Sequence, residues 1–254
     1  MNIVISGGID NLIFASGSAG SQDIVSYRPI FIPIDLPNLV GWYSSDYGVY
    51  NTLTVLAQET QTVRLWQNKL GGSVNAESIS NQPNLSGGAI LFNTDFMSGS
   101  NASPLNAPLS YYVATKSIFS GLNSSASILC QNATSAGSPR FGFSVDQTGR
   151  LGVSSPTTTQ TTGAIMNNGA NVIACIFNDL NTVIVRRGNY TETLNSLGLT
   201  ANTSNLFLIG ARGTNPSDPI SGSIYEILIY SGAHTSNEQN SVINYMAEKW
   251  GVTL

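Results

Sequence analysis

Glu226 stands alone in the apolar run "SIYEILIY" (residues 223–230), and His234, the single histidine of the chain, follows shortly after it. A carboxylate in such surroundings is either half of a catalytic pair or a buried acceptor. Retaining glycoside hydrolases use two carboxyl groups about 5–5.5 Å apart, supplied by acids two or more residues apart on one strand face. No Glu-x-Asp-x-Glu run exists here; the nearest acids are Asp218, in "TNPSDP", and Glu238, beyond the following turn. Glu226 therefore reads as a structural residue that accepts hydrogen bonds from backbone or from an arginine. His234 lies in a turn without a Gly-x-Ser-x-Gly nucleophile, so it is expected at the surface and a hydrolytic triad has no support. The expectation is a protein that is not an enzyme.

Binding chemistry has more candidates. Tyr43, Tyr47 and Tyr50 fall within eight residues, and exposed phenol rings offer sugars an apolar face beside a hydroxyl. Asp46, Asp95 and Asp218 are loop acids that could hold calcium together with backbone carbonyls, although their spacing matches no dedicated calcium loop. Calcium is the one candidate cofactor. One histidine and two cysteines cannot form a Cys/His metal cluster. Cys130 and Cys175 each lie inside an apolar run and read as core thiols rather than a disulfide.

Composition narrows the partners. Of 254 residues only 9% are charged and the net charge is −4, so the surface must be built from Ser, Thr, Asn, Gln and Gly. Ten Lys and Arg make no basic stripe; Arg186 and Arg187 are adjacent and would point to opposite faces of a strand. Nucleic acid is excluded as a partner. No run of eighteen apolar residues exists to cross a bilayer, and the first residues lack the basic start of a signal peptide. Six Asn-X-Ser/Thr sequons are what a chain this rich in those residues gives by chance. Synthesis in a cytoplasm is expected.

These residues must be positioned by strands. From residue 39 onward come short apolar runs with turn punctuation: "LVGWYSS", "VRLWQNK", "AILFN", "YYVATKSI", "ASILCQ", "NLFLIGA" and "SIYEILIY". "RFGFSVDQTGRLGVSS" reads as a hairpin with Phe141, Phe143 and Val145 on one face, and "NVIACIFNDLNTVIVRRG" as a second. "TTTQTT" reads as a polar loop. About ten such runs without intervening helices predict an all-β, two-sheet antiparallel sandwich. In the last strand alternation places Tyr225, Ile227 and Ile229 on one face and Ile224, Glu226, Leu228 and Tyr230 on the other. Both faces are mostly apolar and need cover. A helix supplies it over about 236–250: Thr235 is the N-cap with Glu238 in a capping box, and Val242, Ile243, Met246 and Trp250 form the stripe. Gly251 is the stop.

Residues 1–37 differ. Their apolar runs end in glycines, and Pro29, Pro33 and Pro37 exclude helix and central strand, leaving an extended arm that needs something to lie on. The expected organisation is an attachment or oligomerisation arm over 1–37 and a sandwich domain over 38–254.

The ending "GSIYEILIYSGAHTSNEQNSVINYMAEKWGV" resembles that of the laminin-G-like, concanavalin-A-like jelly-roll modules of bacteriophage structural and bacterial surface proteins, including its Lys249-Trp250-Gly251. "LVGWYSSDYG", "RLWQNKLGGSVNAESISNQPNL" and "AILFNTDFMSGS" resemble the opening strands of that module, with "WYSSD" in place of a strict Trp-Leu-Asp-Ala. The resemblance implies a jelly roll and a non-enzymatic virion component: a capsid decoration, head-fibre or tail-associated protein. Such a component would dock on other virion proteins through residues 1–37, assemble as a homo-oligomer and expose a lectin-like domain. The alternatives are a calcium-assisted carbohydrate-binding module of a cell-surface adhesion protein, and a glycoside hydrolase.

Overall fold

The computed structural model describes residues 31–76, 82–120, 125–131, 141–154, 159–166, 169–211 and 219–254. The first strands are β1 (Leu39–Ser44), β2 (Val49–Tyr50), β3 (Leu65–Gln67), β4 (Ser73–Asn75), β5 (Asn84–Ser86) and β6 (Ala89–Asn93). There follow β7 (Met97–Ser100), β8 (Leu109–Ser120), β9 (Ser125–Gln131), β10 (Gly142–Asp146), β11 (Arg150–Ser154) and β12 (Thr159–Ile165). The last are β13 (Ala170–Phe177), β14 (Val183–Arg187), β15 (Tyr190–Leu194), β16 (Leu206–Ile209) and β17 (Ile220–Tyr230), before helix α1 (Ser236–Trp250). Residues 1–30 of the expected arm, and Asp218, lie outside the described residues.

Among the described residues the strands form two antiparallel sheets. One runs β15-β14-β13-β8-β17-β6-β5, with β1 also paired to β17; the other runs β12-β11-β10-β9-β16-β7-β4-β3-β2. The hairpin β10–β11 pairs Phe143 with Val153 and Val145 with Leu151, and the Asp146 carboxylate accepts the backbone N–H of Thr148 and of Arg150 across the turn. Asp179 does the same between β13 and β14, accepting from Asn181 and Thr182. These short acid-centred turns let two apolar runs fold back at once. Between the sheets the core is packed by Trp66, Phe92, Phe141, Phe143, Phe177 and Phe207, all buried.

Two expectations change. The polar run "TTTQTT" ends in a strand: β12 pairs with β11 at the sheet edge and turns Thr162 and Ala164 inward while its alternate residues stay exposed or half-buried. Threonine suits a half-buried pleat, so an edge strand needs little apolar sequence. Alternation in the last strand also breaks. Ile224 pairs with Thr115 and Glu226 with Ala114, so Tyr225 is an extra residue at an irregularity in β17. Ile224, Ile227 and Ile229 consequently share the inter-sheet core, whereas Tyr225, Leu228 and Tyr230 turn to the outer face.

That outer face is a second apolar layer. Tyr112 and Ala114 of β8, Val172, Ala174 and Ile176 of β13, and Leu228 and Tyr230 meet Val242, Ile243, Met246 and Ala247 of the helix. Alanines beneath the helix let it approach closely, and each aliphatic side chain buried is worth about 1.5–3 kcal/mol. Thr235 accepts the Glu238 N–H at 3.4 Å and the Glu238 carboxylate accepts the Thr235 N–H at 2.7 Å, closing the capping box. Gly251 ends the helix at φ 63°, a conformation that favours glycine.

Residues 31–36 belong to this layer. Phe31 and Leu36 pack against it, the Phe31 ring meets Tyr245 edge-on at 6.1 Å, and Tyr230 donates its hydroxyl to the Pro33 carbonyl at 3.0 Å. Pro33 opens a single 3-10 turn, Pro33–Asp35, at a position where no N–H is required. Among the described residues no helix is long and apolar enough to cross a membrane.

Candidate functional site

The irregularity in β17 aims Glu226 into a cage of donors. Its carboxylate accepts the Trp42 indole N–H at 2.6 Å, the Trp250 indole N–H at 2.7 Å, the Lys249 ammonium at 3.1 Å and the Tyr245 hydroxyl at 3.2 Å. Glu226 is 0% exposed. Burying a charge requires this much compensation. The donors are side chains, not the backbone or arginine anticipated above. Both oxygens are occupied, so Glu226 meets no ligand directly; it locks the aromatic residues around it.

Charge continues outward from the cage. Lys249 also contacts Asp46 at 3.2 Å and donates to the Ser44 hydroxyl at 2.8 Å, and Lys69 lies 3.6 Å from Asp46. Burial works against the Asp46 charge, yet the Ser44 hydroxyl, Lys249 and Lys69 together hold its carboxyl below the ordinary aspartate range. Burial and the Lys249 charge lower Lys69, with Asp46 and Glu226 opposing. Lys69 sits over the rings of Trp42 and Tyr47, and Lys249 over those of Trp250 and Tyr245. Two ammonium groups at Asp46 give a local charge opposite to the one calcium requires. Among the described residues no cluster of three or more His, Cys, Asp or Glu could hold a metal ion.

Beside the cage lies an open groove of about 560 Å³ on the same sheet face. Tyr225, Lys116, Asn93 and the Ser221–Ser223 stretch line it together with the apolar Leu91 and Phe92. Tyr225 stacks on Trp250 at 5.2 Å and 28°. The support runs inward in order: Tyr225 rests on Trp250, and Trp250 is pinned by Glu226. Among the described residues no Asp or Glu lines the groove.

The structure scatters the other sequence candidates. Tyr43 is 5% exposed, its ring packed against Trp66 and Phe207, so a sugar cannot stack on its face. Tyr47 is 46% exposed beneath Lys69, and Tyr50 is half-buried with its hydroxyl 3.4 Å from Gln67. Asp95 is buried and accepts the Asn93 N–H at 3.0 Å; desolvation raises its pKa against that bond. His234, expected at the surface, is buried against Tyr112 and Tyr230, with its Nδ1 2.8 Å from the Tyr112 hydroxyl. The reason is its place under the helix N-terminus, where it plugs the end of the second apolar layer. Thr235, Glu238 and Gly251 serve the helix ends, and Trp250 serves both the helix and Glu226. Sequence reasoning missed Trp42, Lys69, Tyr225 and Tyr245. Tyr225 adjoins Glu226 and Tyr245 precedes Trp250 by five residues, but nothing in the sequence pairs Trp42 with Glu226 across 184 positions.

No protein-family model matches the chain, and no curated protein does. Solved structures share its fold. The Trypanosoma rangeli sialidase superposes with a TM-score of 0.59 at 15% identity, over 84% of this chain and 33% of the sialidase. Its complex with sialic acid gives a TM-score of 0.59 at 13% identity over the same shares of 84% and 33%. A GH54 α-L-arabinofuranosidase gives 0.63 at 11% identity, over 82% of this chain and 62% of that one. The chain thus spans a third of the sialidase and under two thirds of the arabinofuranosidase. At these identities the likeness shows the fold, a two-sheet β-sandwich. It also corrects the expectation of a protein that is not an enzyme: glycoside hydrolases carry this architecture, so the fold does not exclude catalysis.

Proposed function

We propose that the protein binds carbohydrate in the groove beside Tyr225. The observation that carries this reading is a phenol ring held in the groove lining by the Trp250–Glu226 chain, in company with Ser221, Ser223 and Lys116. Stacking on Trp250 engages one face of Tyr225 and leaves the other for a sugar, a contact that suits apolar C–H faces of pyranoses. Lys116 adds a positive charge, which favours anionic sugars over neutral ones. Support comes also from the sialidase and arabinofuranosidase that share the fold. A glycan array probed with the full chain, with and without chelator, should give a restricted set of positive glycans. Tyr225→Ala should lose them at least tenfold with unchanged circular dichroism, and Lys116→Ala should weaken the anionic ones selectively. A silent array overturns the reading.

A second reading, hydrolysis of a glycan that meets Asp46 outside the groove, is favoured by the sharing of Lys249 between the Asp46 and Glu226 carboxylates. Asp46 is the half-exposed member that could meet a substrate. Release of reducing ends that Asp46→Asn abolishes would select this reading.

We further propose that the domain is displayed on a bacteriophage particle assembled in the host cytoplasm, as a homo-oligomer attached through residues 1–37. This rests on the resemblance of the C-terminal segment to phage and bacterial surface modules. Antibody labelling of native particles in electron micrographs tests it; unlabelled particles overturn it.

A further inference from the structure

A second cavity, of about 320 Å³, opens where the start of β1, the turn between β3 and β4 and the segment after β7 meet. Its size lies at the lower end of small-molecule pockets, room for one pyranose rather than an oligosaccharide. The Tyr43 ring closes its floor. Trp66 and Phe207, each 5.7 Å away between ring centroids, fix that ring, so its hydroxyl cannot swing elsewhere for a partner. That hydroxyl makes no hydrogen bond among the described residues and keeps part of the 5% of Tyr43 that reaches solvent. A ring-fixed hydroxyl with no protein partner is free to donate to whatever occupies the cavity. Burial raises the phenol pKa, which keeps it a donor.

Neighbouring Asn68 makes its hydrogen bonds elsewhere. Its carbonyl oxygen accepts the Trp42 and Leu70 N–H groups at 2.9 and 3.0 Å, and its amide donates to the Val40 carbonyl at 3.2 Å. It is a rigid wall post. The remaining polar lining comes from Ser73, Ser100, Asn101 and Ser103, while Leu39, Val40, Leu70, Ala102 and Leu105 supply apolar surface. No charged side chain among the described residues lines the cavity. Uncharged hydroxyls and amides beside a fixed phenol, mixed with apolar side chains, match an uncharged ring with hydroxyl edges and C–H faces rather than a phosphate, a carboxylate or a cation.

We propose that this cavity binds a single neutral sugar residue, with the Tyr43 hydroxyl as the donor at its floor. The site is separate from the groove beside Tyr225 and is carried by different observations, so either can fail alone.

The test uses the full chain and free glucose, galactose, mannose and N-acetylglucosamine, followed by saturation-transfer NMR and calorimetric titration. At least one of these sugars should bind wild type and Tyr225→Ala equally. Tyr43→Phe keeps the ring and the fold, and should weaken that binding at least tenfold with an unchanged melting temperature or a higher one. Binding that survives Tyr43→Phe, or is abolished by Tyr225→Ala, overturns the proposal. So does failure of all four sugars to bind wild type, which would leave water as the partner of Tyr43.

Discussion

Glu226 shows how one side chain organises its surroundings. Four donors, two of them indoles, converge on a carboxylate sealed from solvent. Glu226→Gln keeps the volume but places an NH₂ group against N–H donors, and it strips Lys249 of its buried partner. Lys249 is 20% exposed, so screening tempers the loss. The expected destabilisation is roughly 2–4 kcal/mol, read as a shift in the urea midpoint. Two of the three tryptophans touch this carboxylate, so fluorescence should change with it. His234 supplies a pH signature at the same scale. Burial lowers its pKa from the ordinary 6.5, with Glu238 opposing. Below about pH 6.5 the unfolded chain takes up a proton that the native state resists, so stability falls as pH drops through this window and is flat above it. His234→Gln should remove that part of the slope, measured as the change in melting temperature between about pH 7.5 and about pH 5.5. Asp46, held low by its neighbours, contributes stability that is lost only at more acid pH, as its own folded value is crossed.

At the level of elements, the helix and the extra residue of β17 do most to create the site. The capping box and Gly251 were legible because they are local: the motif and the helix share the same few residues. Thr235→Ala should cost about 1 kcal/mol, and Met246→Ala, which empties a fully buried position in the layer between helix and sheet, about 2–5 kcal/mol, both by thermal melts. The irregularity was not legible. Nothing in "SIYEILIY" distinguishes strict alternation from a strand with one extra residue, because the choice depends on how β8 pairs opposite. Its consequence is large: Tyr225 moves from the inter-sheet core to the groove. The edge strand β12 escaped notice for a related reason, since threonines that would make a loop elsewhere pair readily with β11.

At the scale of the whole molecule, the described residues form three layers, one upon another: a sheet, a second sheet, and a covering of helix α1 with residues 31–36. Since Phe31 and Leu36 pack against that covering, the informative truncation removes residues 1–30 and no more. The shortened chain should remain folded, with a melting temperature within a few degrees of the full chain; particle attachment should be lost if residues 1–37 act as proposed. Unfolding on truncation would show those residues to be part of the sandwich. By itself the sequence determined the all-β class, the two hairpins, the need to cover both faces of the last strand and the capped helix that does so. Each of these follows from periodicity or turn chemistry within a short window. Only the tertiary structure decided what surrounds Glu226, where Tyr43 and His234 reside, and which tyrosine faces a groove. Those outcomes depend on strand register and on contacts between residues far apart in the chain, and no local pattern encodes them.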